Sequence, residues 1–405
     1  MRIVIASQTY DPAVNGQGVF TIHLAEGLAQ AGHDVMVLTP SERLLPYRTL
    51  RRGVRVQAIT AIPLGSPKTD LQVTPLPILQ VGHLLDEFKP DIVHIQDHYP
   101  LCQGVVPAAL KRGLPLIGTN HFLPENMIPY VPLFSRSRPL RGFLERRLWK
   151  NVLDVFNQLD MVTTPTETAA RILRQYGARV RVRAVSCGVD LERFSPDVRV
   201  NKAEMRARYG LDPERTVLLY VGRLSREKRI DLLIRAVHQL DRDALQLGIA
   251  GQGRRAKALK TLAEQLDLGQ RVVFTGYVPA QDLPALLNSI DIFAMPSEAE
   301  LQSIATLEAM GTGRPVLAAD AQALPELVKN GVNGYLFKAG DVDDAARRIG
   351  QLTDEREYWP AMGAASLTLV RPHSLGNTLL RYEDLYRSLG RAIQPIVLSR
   401  SLFER

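Results

Sequence analysis

Two carboxylates, Glu300 and Glu308, bracket seven uncharged residues in the stretch SEAELQSIATLEAMGTGRPVL, residues 297–317. The apolar run before them, Asp291-Ile-Phe-Ala-Met-Pro, predicts a buried strand, and apolar residues at helical spacing from about Ser303 to Met310 predict a helix that Gly311 and Gly313 end. Glu300 then sits in the turn and Glu308 on the helix. Between them, the backbone N–H groups near Ser303, Ile304 and Ala305 lack intrahelical acceptors and carry the positive end of the helix dipole, a ready place for phosphate. The same residues also suit a plain Ser303 N-cap flanked by two solvated glutamates, so the rest of the chain must decide.

Elsewhere, further residues with binding chemistry follow strand-like runs. Gly222-Arg223-Leu-Ser-Arg-Glu-Lys228 follows an apolar strand and offers a guanidinium fork and an ammonium point charge. A basic loop is often only solvated, but beside a second phosphate-friendly helix start the two cations suit a diphosphate. Tyr10-Asp-Pro-Ala-Val-Asn-Gly16-Gln-Gly18 follows the first strand, ahead of a helix expected from about Val19; its glycines either admit a ligand close to the backbone or make an ordinary turn. Thr119-Asn-His121-Phe follows another strand.

These residues need a frame that gathers them. Strands alternate with helices throughout, which predicts parallel sheets covered on both faces, an α/β architecture. The expected strands are Ile3–Ala6, Val35–Leu38, Val54–Ala58, Ile92–Ile95, Leu116–Gly118, Met161–Thr164 and Val182–Val185, then Val217–Val221, Leu245–Ala250, Val272–Phe274, Ile292–Met295, Pro315–Ala318 and Gly334–Phe337. The turn-rich Gly188-Val-Asp-Leu-Glu-Arg-Phe-Ser-Pro-Asp interrupts the rhythm and places a boundary near residue 195. In such folds ligands collect at the carboxyl ends of strands, where all four motifs fall.

With 405 residues the chain can fill two cores, and its net charge of +8 invites nucleic acid, an anionic membrane or a phosphorylated ligand. Nucleic acid is disfavoured, because the basic residues cluster at one loop and the phosphate sites without aromatic platforms. Two cysteines, Cys102 and Cys187, provide neither a disulfide framework nor a zinc cluster, and no Asp-x-Asp or histidine cluster has metal-ligand spacing. Met1-Arg-Ile-Val-Ile-Ala enters a strand without the apolar core of a signal peptide, and no run approaches a membrane span. A cytoplasmic protein is expected.

Taken in order, these motifs resemble the retaining nucleotide-sugar glycosyltransferases of family 4. The resemblance rests on Gly16 and Gly18 with LAEGLAQAGHDVMVLTP, PDIVHIQDH at 90–98, CGVDLERFSP at 187–196, VGRLSREK at 221–228, GIAGQGR at 248–254, FTGYV at 274–278, and Glu300 with Glu308. It implies a GT-B fold, two Rossmann-like domains facing across a cleft: residues 1–195 for the acceptor, 196–370 for the nucleotide sugar, and 371–405 as a crossover helix and tail returning to the first domain. It implies that Arg223 and Lys228 hold the donor diphosphate, that Glu308 binds ribose, and that Glu300 contacts the sugar. Ser303, Ile304 and Ala305 would bind phosphate, backbone near Tyr277 would meet the base, and His121 would face the sugar. Gly16 and Gly18 would let the first domain close over the diphosphate. The acceptor hydroxyl would attack from the face the phosphate leaves, with no metal required.

Some positions depart from the family pattern. Leu301 and Ser303 stand where glycines are frequent, Ala323-Leu324 replaces a common Gly-Gly, and Cys187 replaces a frequent asparagine, all of which bear on donor identity. Segment 133–156 carries Arg136, Arg138, Arg141, Arg146, Arg147 and Lys150 with Phe143, Leu144, Leu148 and Trp149. It reads either as a helix lying in an anionic headgroup layer or as a domain helix with solvated arginines. With NHFLPENMIPYVPLF before it and ELQS at 300–303, it is similar to glycosyltransferases acting on diacylglycerol. The expectation is transfer of a hexose, glucose from UDP-glucose, to a lipid at the inner face of the cell membrane through residues 136–150. The alternatives are a soluble sugar-phosphate or polysaccharide acceptor with GDP-mannose as donor, a nucleotide-sugar epimerase, or a silent binding protein.

Overall fold

The computed structural model describes residues 1–10, 16–43, 45–63, 72–73, 77–128, 138–197 and 199–393. The first sheet is built from β1 (Arg2–Ala6), β2 (Asp34–Pro40), β3 (Tyr47–Arg51) and β4 (Val54–Ile59); β5 (Ile62–Pro63) and β6 (Gln72–Val73) form a separate short pair. Then come β7 (Ile92–Ile95), β8 (Leu116–Thr119), β9 (Met161–Thr164) and β10 (Arg181–Ala184). The eight strands run in the order β10-β9-β8-β7-β1-β2-β4-β3, and β1 pairs in parallel with both β2 and β7. Its residues Ile3 to Ala6 are wholly buried, as a strand covered on both faces must be.

Among the described residues β3 is the one antiparallel member of this sheet, pairing with β4, and was not expected from the sequence. Its residues Tyr-Arg-Thr-Leu-Arg are half-buried or exposed, with Arg48 bonded to Glu87 and Arg51 near Glu26. An edge strand guarded by charge lacks the apolar alternation that marks a strand.

The second sheet contains β11 (Thr216–Val221), β12 (Leu245–Ala250), β13 (Val272–Gly276), β14 (Ile292–Met295), β15 (Val316–Asp320) and β16 (Gly334–Lys338). All pair in parallel, in the order β13-β12-β11-β14-β15-β16. The strand order reverses between β11 and β14, so the loops after these two strands open a crevice. In the first sheet β1 lies between β7 and β2, and the same rule points to the loops after β1 and β7.

One further expectation is corrected, and one choice between two readings is narrowed. The helix expected from about Val19 spans Gly16–Gln30, so Gly16 and Gly18 belong to its first turn and not to a loop. The basic segment forms a helix, Arg138–Phe156, but Trp149 is core: it is 2% exposed and stacks on Tyr176 at 4.7 Å. Val152, Leu153, Val155 and Phe156 are buried with it, so the apolar residues of the last turns cover the domain and not a bilayer. Leu140 and Phe143 remain exposed. Arg136 and the apolar loop of 129–137 lie outside the described residues.

The final helix, Leu375–Ile393, packs on the first sheet as expected, with Tyr382 and Tyr386 fully buried among Ile3, Ile5, Phe20 and Ile117. It approaches the Gly16–Gln30 helix so closely that a methyl on Gly27 would stand 2.5 Å from Leu379 Cδ1. Two chain crossings lie side by side: Val189 N–H donates to His373 O at 2.9 Å and Leu375 N–H to Val189 O at 2.8 Å. Among the described residues no helix is long and apolar enough to cross a membrane.

Candidate functional site

The loop after β11 is shaped by backbone contact. Tyr220 Oη donates to Arg223 O at 2.9 Å, while Leu224 N–H donates to Gln252 O at 2.8 Å. Gly251 follows β12 at φ +138°, and a methyl there would lie 1.9 Å from Gly222 O. Replacing Gly251 with alanine combines a disfavoured φ with a backbone clash, so an unfolding loss of about 2–4 kcal/mol is expected, read as a lower denaturant midpoint at unchanged slope.

This packing sets Arg223 and Lys228 at the crevice. The Arg223 side chain is half exposed and lies 3.3 Å from Glu227 Oε1. Lys228, 18% exposed, forms an ion pair with Glu300, which is 9% exposed. The turn that carries Glu300 is tied to the same loop, since Glu298 N–H donates to Glu227 O at 3.1 Å. A cation and a carboxylate both withdrawn from water need each other, so this contact fixes the turn after β14 against the loop after β11.

The turn ends at Ser303, which caps the Ile304–Gly311 helix by accepting from Thr306 N–H at 3.2 Å. The N–H groups of Ile304 and Ala305 lie ahead of the intrahelical ladder, where a phosphate oxygen can receive them. Gly16 of the first domain meets this point from the other side; a methyl on it would be 3.8 Å from Ile304 Cδ1. Five expected residues, Gly16, Lys228, Glu300, Ser303 and Ile304, are thus drawn into one place.

Glu308 lies one turn further along the helix. Burial pushes its carboxyl up to about 7, against the pull of the nearby Arg193 guanidinium. Arg193 also donates to Ala280 O, which ties the segment between the two sheets to the loop after β13. Tyr277 stands on that loop and is 60% exposed. His121 follows β8; its ring packs 5.0 Å from Phe20 of the Gly16–Gln30 helix, and burial lowers it to about 3, so the imidazole is neutral.

Sequence reasoning missed Asp97, although it stood in the quoted PDIVHIQDH. Buried after β7, its carboxylate accepts from Gln8 N–H at 2.7 Å, Gln17 Nε2 at 2.9 Å and Tyr99 N–H at 3.0 Å. It locks the loops after β1 and β7 to the helix that carries Gly16 and Gly18. The available signal was a buried-strand pattern ending in three consecutive polar residues, Gln96-Asp97-His98. Among the described residues no group of three His, Cys, Asp or Glu side chains is placed to hold a metal ion.

Comparison with known proteins gives the family and the fold. A model described as "Glycosyltransferase Family 4" matches residues 14–193, and one described as "Glycosyl transferases group 1" matches residues 201–366. The D-inositol 3-phosphate glycosyltransferase of Mycobacterium sp. (strain KMS) is 33% identical over 83% of this chain and 77% of its own length. The alpha-monoglucosyldiacylglycerol synthase of Streptococcus pneumoniae is 26% identical over 83% of this chain and 75% of its own. The sulfoquinovosyl transferase SQD2 of Arabidopsis thaliana is 28% identical over 84% of this chain, which spans 64% of that relative's length. In fold, Anabaena HepE in complex with UDP-glucose superposes with a TM-score of 0.77 at 20% identity, covering 96% of this chain and 100% of its own. With its two parallel-sheet domains in a GT-B arrangement, the chain belongs to glycosyltransferase family 4.

Proposed function

We propose that this glycosyltransferase takes glucose from UDP-glucose and places it, with retention at the anomeric carbon, on a lipid acceptor such as diacylglycerol at the cytoplasmic membrane surface. The observation that carries the reading is the Lys228–Glu300 pair seated at the start of the Ile304–Gly311 helix, beside Arg223. Cleaving the bond from sugar to phosphate builds negative charge on the departing diphosphate. Arg223, Lys228 and the N–H groups of Ser303, Ile304 and Ala305 form a prearranged positive wall for that charge. Glu300 accepts from donor-sugar hydroxyls, Glu308 from ribose hydroxyls, and backbone at Tyr277 borders the base. His121 faces the sugar from the first domain, and Gly16 and Gly18 let that domain approach the diphosphate. In this proposal the domains span residues 1–195 and 196–370, with the last helix clasping the first, and closure between them excludes water.

The lipid is favoured by exposed Met127, Leu140 and Phe143 beside exposed Arg141, Arg146 and Arg147, an apolar and basic mixture suited to anionic headgroups. It is also favoured by similarity to the alpha-monoglucosyldiacylglycerol synthase. A soluble phosphorylated acceptor is the second reading, favoured by the 33% identity to the D-inositol 3-phosphate enzyme.

The test is release of nucleoside diphosphate from a panel of UDP-, GDP- and ADP-sugars, with and without anionic vesicles containing diacylglycerol. UDP-glucose turnover that needs the lipid, and that falls with Phe143→Asp as vesicle binding falls, is the expected result. Turnover restored by D-inositol 3-phosphate without vesicles would move the assignment to the second reading, and no turnover of any sugar nucleotide would overturn both.

A further inference from the structure

His121 is held from behind by a chain of buried polar groups that ends on the last helix. Its Nε2 lies 3.2 Å from Gln96 Oε1, and Gln96 Nε2 lies 3.2 Å from His94 Nε2. His94 is wholly buried, with Nδ1 2.7 Å from Tyr386 Oη and Nε2 2.7 Å from Thr119 Oγ1. Thr119 Oγ1 is 2.7 Å from Thr163 Oγ1, which is 3.0 Å from Tyr382 Oη. Both tyrosines belong to the Leu375–Ile393 helix, so side chains from distant parts of the sequence converge beneath His121.

The placement of the Gln96 amide, nitrogen toward His94 and oxygen toward His121, selects one pattern of donors. Tyr382 donates to Thr163 and Thr163 to Thr119; the single lone pair of His94 Nε2 is shared between the Thr119 hydroxyl at 2.7 Å and Gln96 Nε2 at 3.2 Å, and His94 Nδ1 donates to Tyr386. Burial holds both imidazoles near 3, so each carries a single ring proton. With the Gln96 amide nitrogen committed to His94, its oxygen faces His121 and can only accept.

The structure assigns Gln96 as the positioning residue of His121: it holds the His121 proton on Nε2 and so leaves Nδ1 as an unprotonated acceptor for a sugar hydroxyl. This rests on the reading of His121 as a residue that faces the donor sugar. The last helix then does more than clasp the first domain. Through Tyr386 and His94 it sets the orientation of the Gln96 amide, and through Gln96 the tautomer of a residue far from it in sequence.

The experiment is nitrogen-15 NMR of the full chain carrying labelled histidine, with the His121 signals identified by their loss in His121→Gln. A protonated Nε2 and an unprotonated Nδ1 in the unaltered chain are expected, as is a mixture of tautomers in Gln96→Leu. In kinetics, Gln96→Leu is expected to lower kcat roughly tenfold, the scale of one net hydrogen bond, with little change in KM. Tyr386→Phe should produce a smaller shift in the same direction. A His121 proton on Nδ1 in the unaltered chain overturns the assignment without any variant having to fold, and so does an unchanged tautomer in Gln96→Leu. If the tautomers behave as expected but no nucleotide sugar is turned over, the functional reading fails while the assignment of Gln96 stands.

Discussion

Replacing Lys228 with alanine is expected to lower kcat/KM by about 10²–10³, the loss seen when one prearranged donor to a developing anion is removed. The physical reason is specific to this cleft. Without ligand, Lys228 is paired with Glu300, both mostly withdrawn from water. An ammonium has three donors, so an arriving phosphate can share Lys228 with Glu300 without breaking the pair. The carboxylate therefore holds the cation at the place where charge will appear, and no reorganisation is needed at the moment of bond cleavage.

The same substitution strands Glu300 as a buried, unpaired carboxylate. A stability loss of roughly 3 kcal/mol is expected, the scale measured for breaking buried pairs. Changing both residues, Lys228→Met with Glu300→Gln, should recover much of that stability while leaving turnover as low as in Lys228→Ala. Chemical denaturation together with steady-state rates separates the two effects. A Lys228→Ala enzyme within threefold of the unaltered chain in kcat/KM would remove Lys228 from the proposed site.

The sequence disclosed the frame and the individual chemical groups more readily than the contacts between them. Central parallel strands such as Ile3–Ala6 and Leu245–Ala250 read clearly, because burial on both faces forces an unbroken apolar run. β3 was invisible because an edge strand carries the charges that prevent further pairing. Glu300 with Glu308, and Arg223 with Lys228, were legible because their spacing along the chain is itself the signal. Long-range partners have no such signature. Lys228 meets Glu300 across 72 positions, and His121 meets Gln96 across 25, because the strand order places the ends of their strands together. Trp149 could be read two ways for a related reason: a single helix, Arg138–Phe156, is core at its end and exposed at its start, and no one pattern describes both halves.

Glu308→Gln is expected to abolish a pH dependence of donor binding centred near 7. Ribose hydroxyls donate to a carboxylate more strongly than to a neutral carboxyl, so the donor selects the ionised form of Glu308. In the free enzyme burial keeps that carboxyl protonated up to about 7. UDP affinity should therefore rise with pH through about 7 and level off above it, with a proton released on binding below that pH and taken up again when UDP leaves. The glutamine variant should bind roughly 10–100-fold more weakly at pH 8, where a charged hydrogen-bond partner has been lost, and should show a flat profile between pH 6 and 8. Stability moves the other way. The folded carboxyl keeps its proton to about 7, whereas its ordinary value is 4.5, so the folded chain binds more protons in that window and loses stability as pH rises across it. Removing the charge should thus stabilise the unliganded protein by about 2 kcal/mol at pH 8, after allowance for partial exposure, with little change at pH 4.5. Titration calorimetry of UDP and denaturation midpoints at pH 5, 6, 7 and 8 test both halves. A variant that binds UDP as tightly as the unaltered chain at pH 8 would place Glu308 outside the nucleotide site, and unchanged stability across that range would mean that its carboxyl is already ionised in the free enzyme.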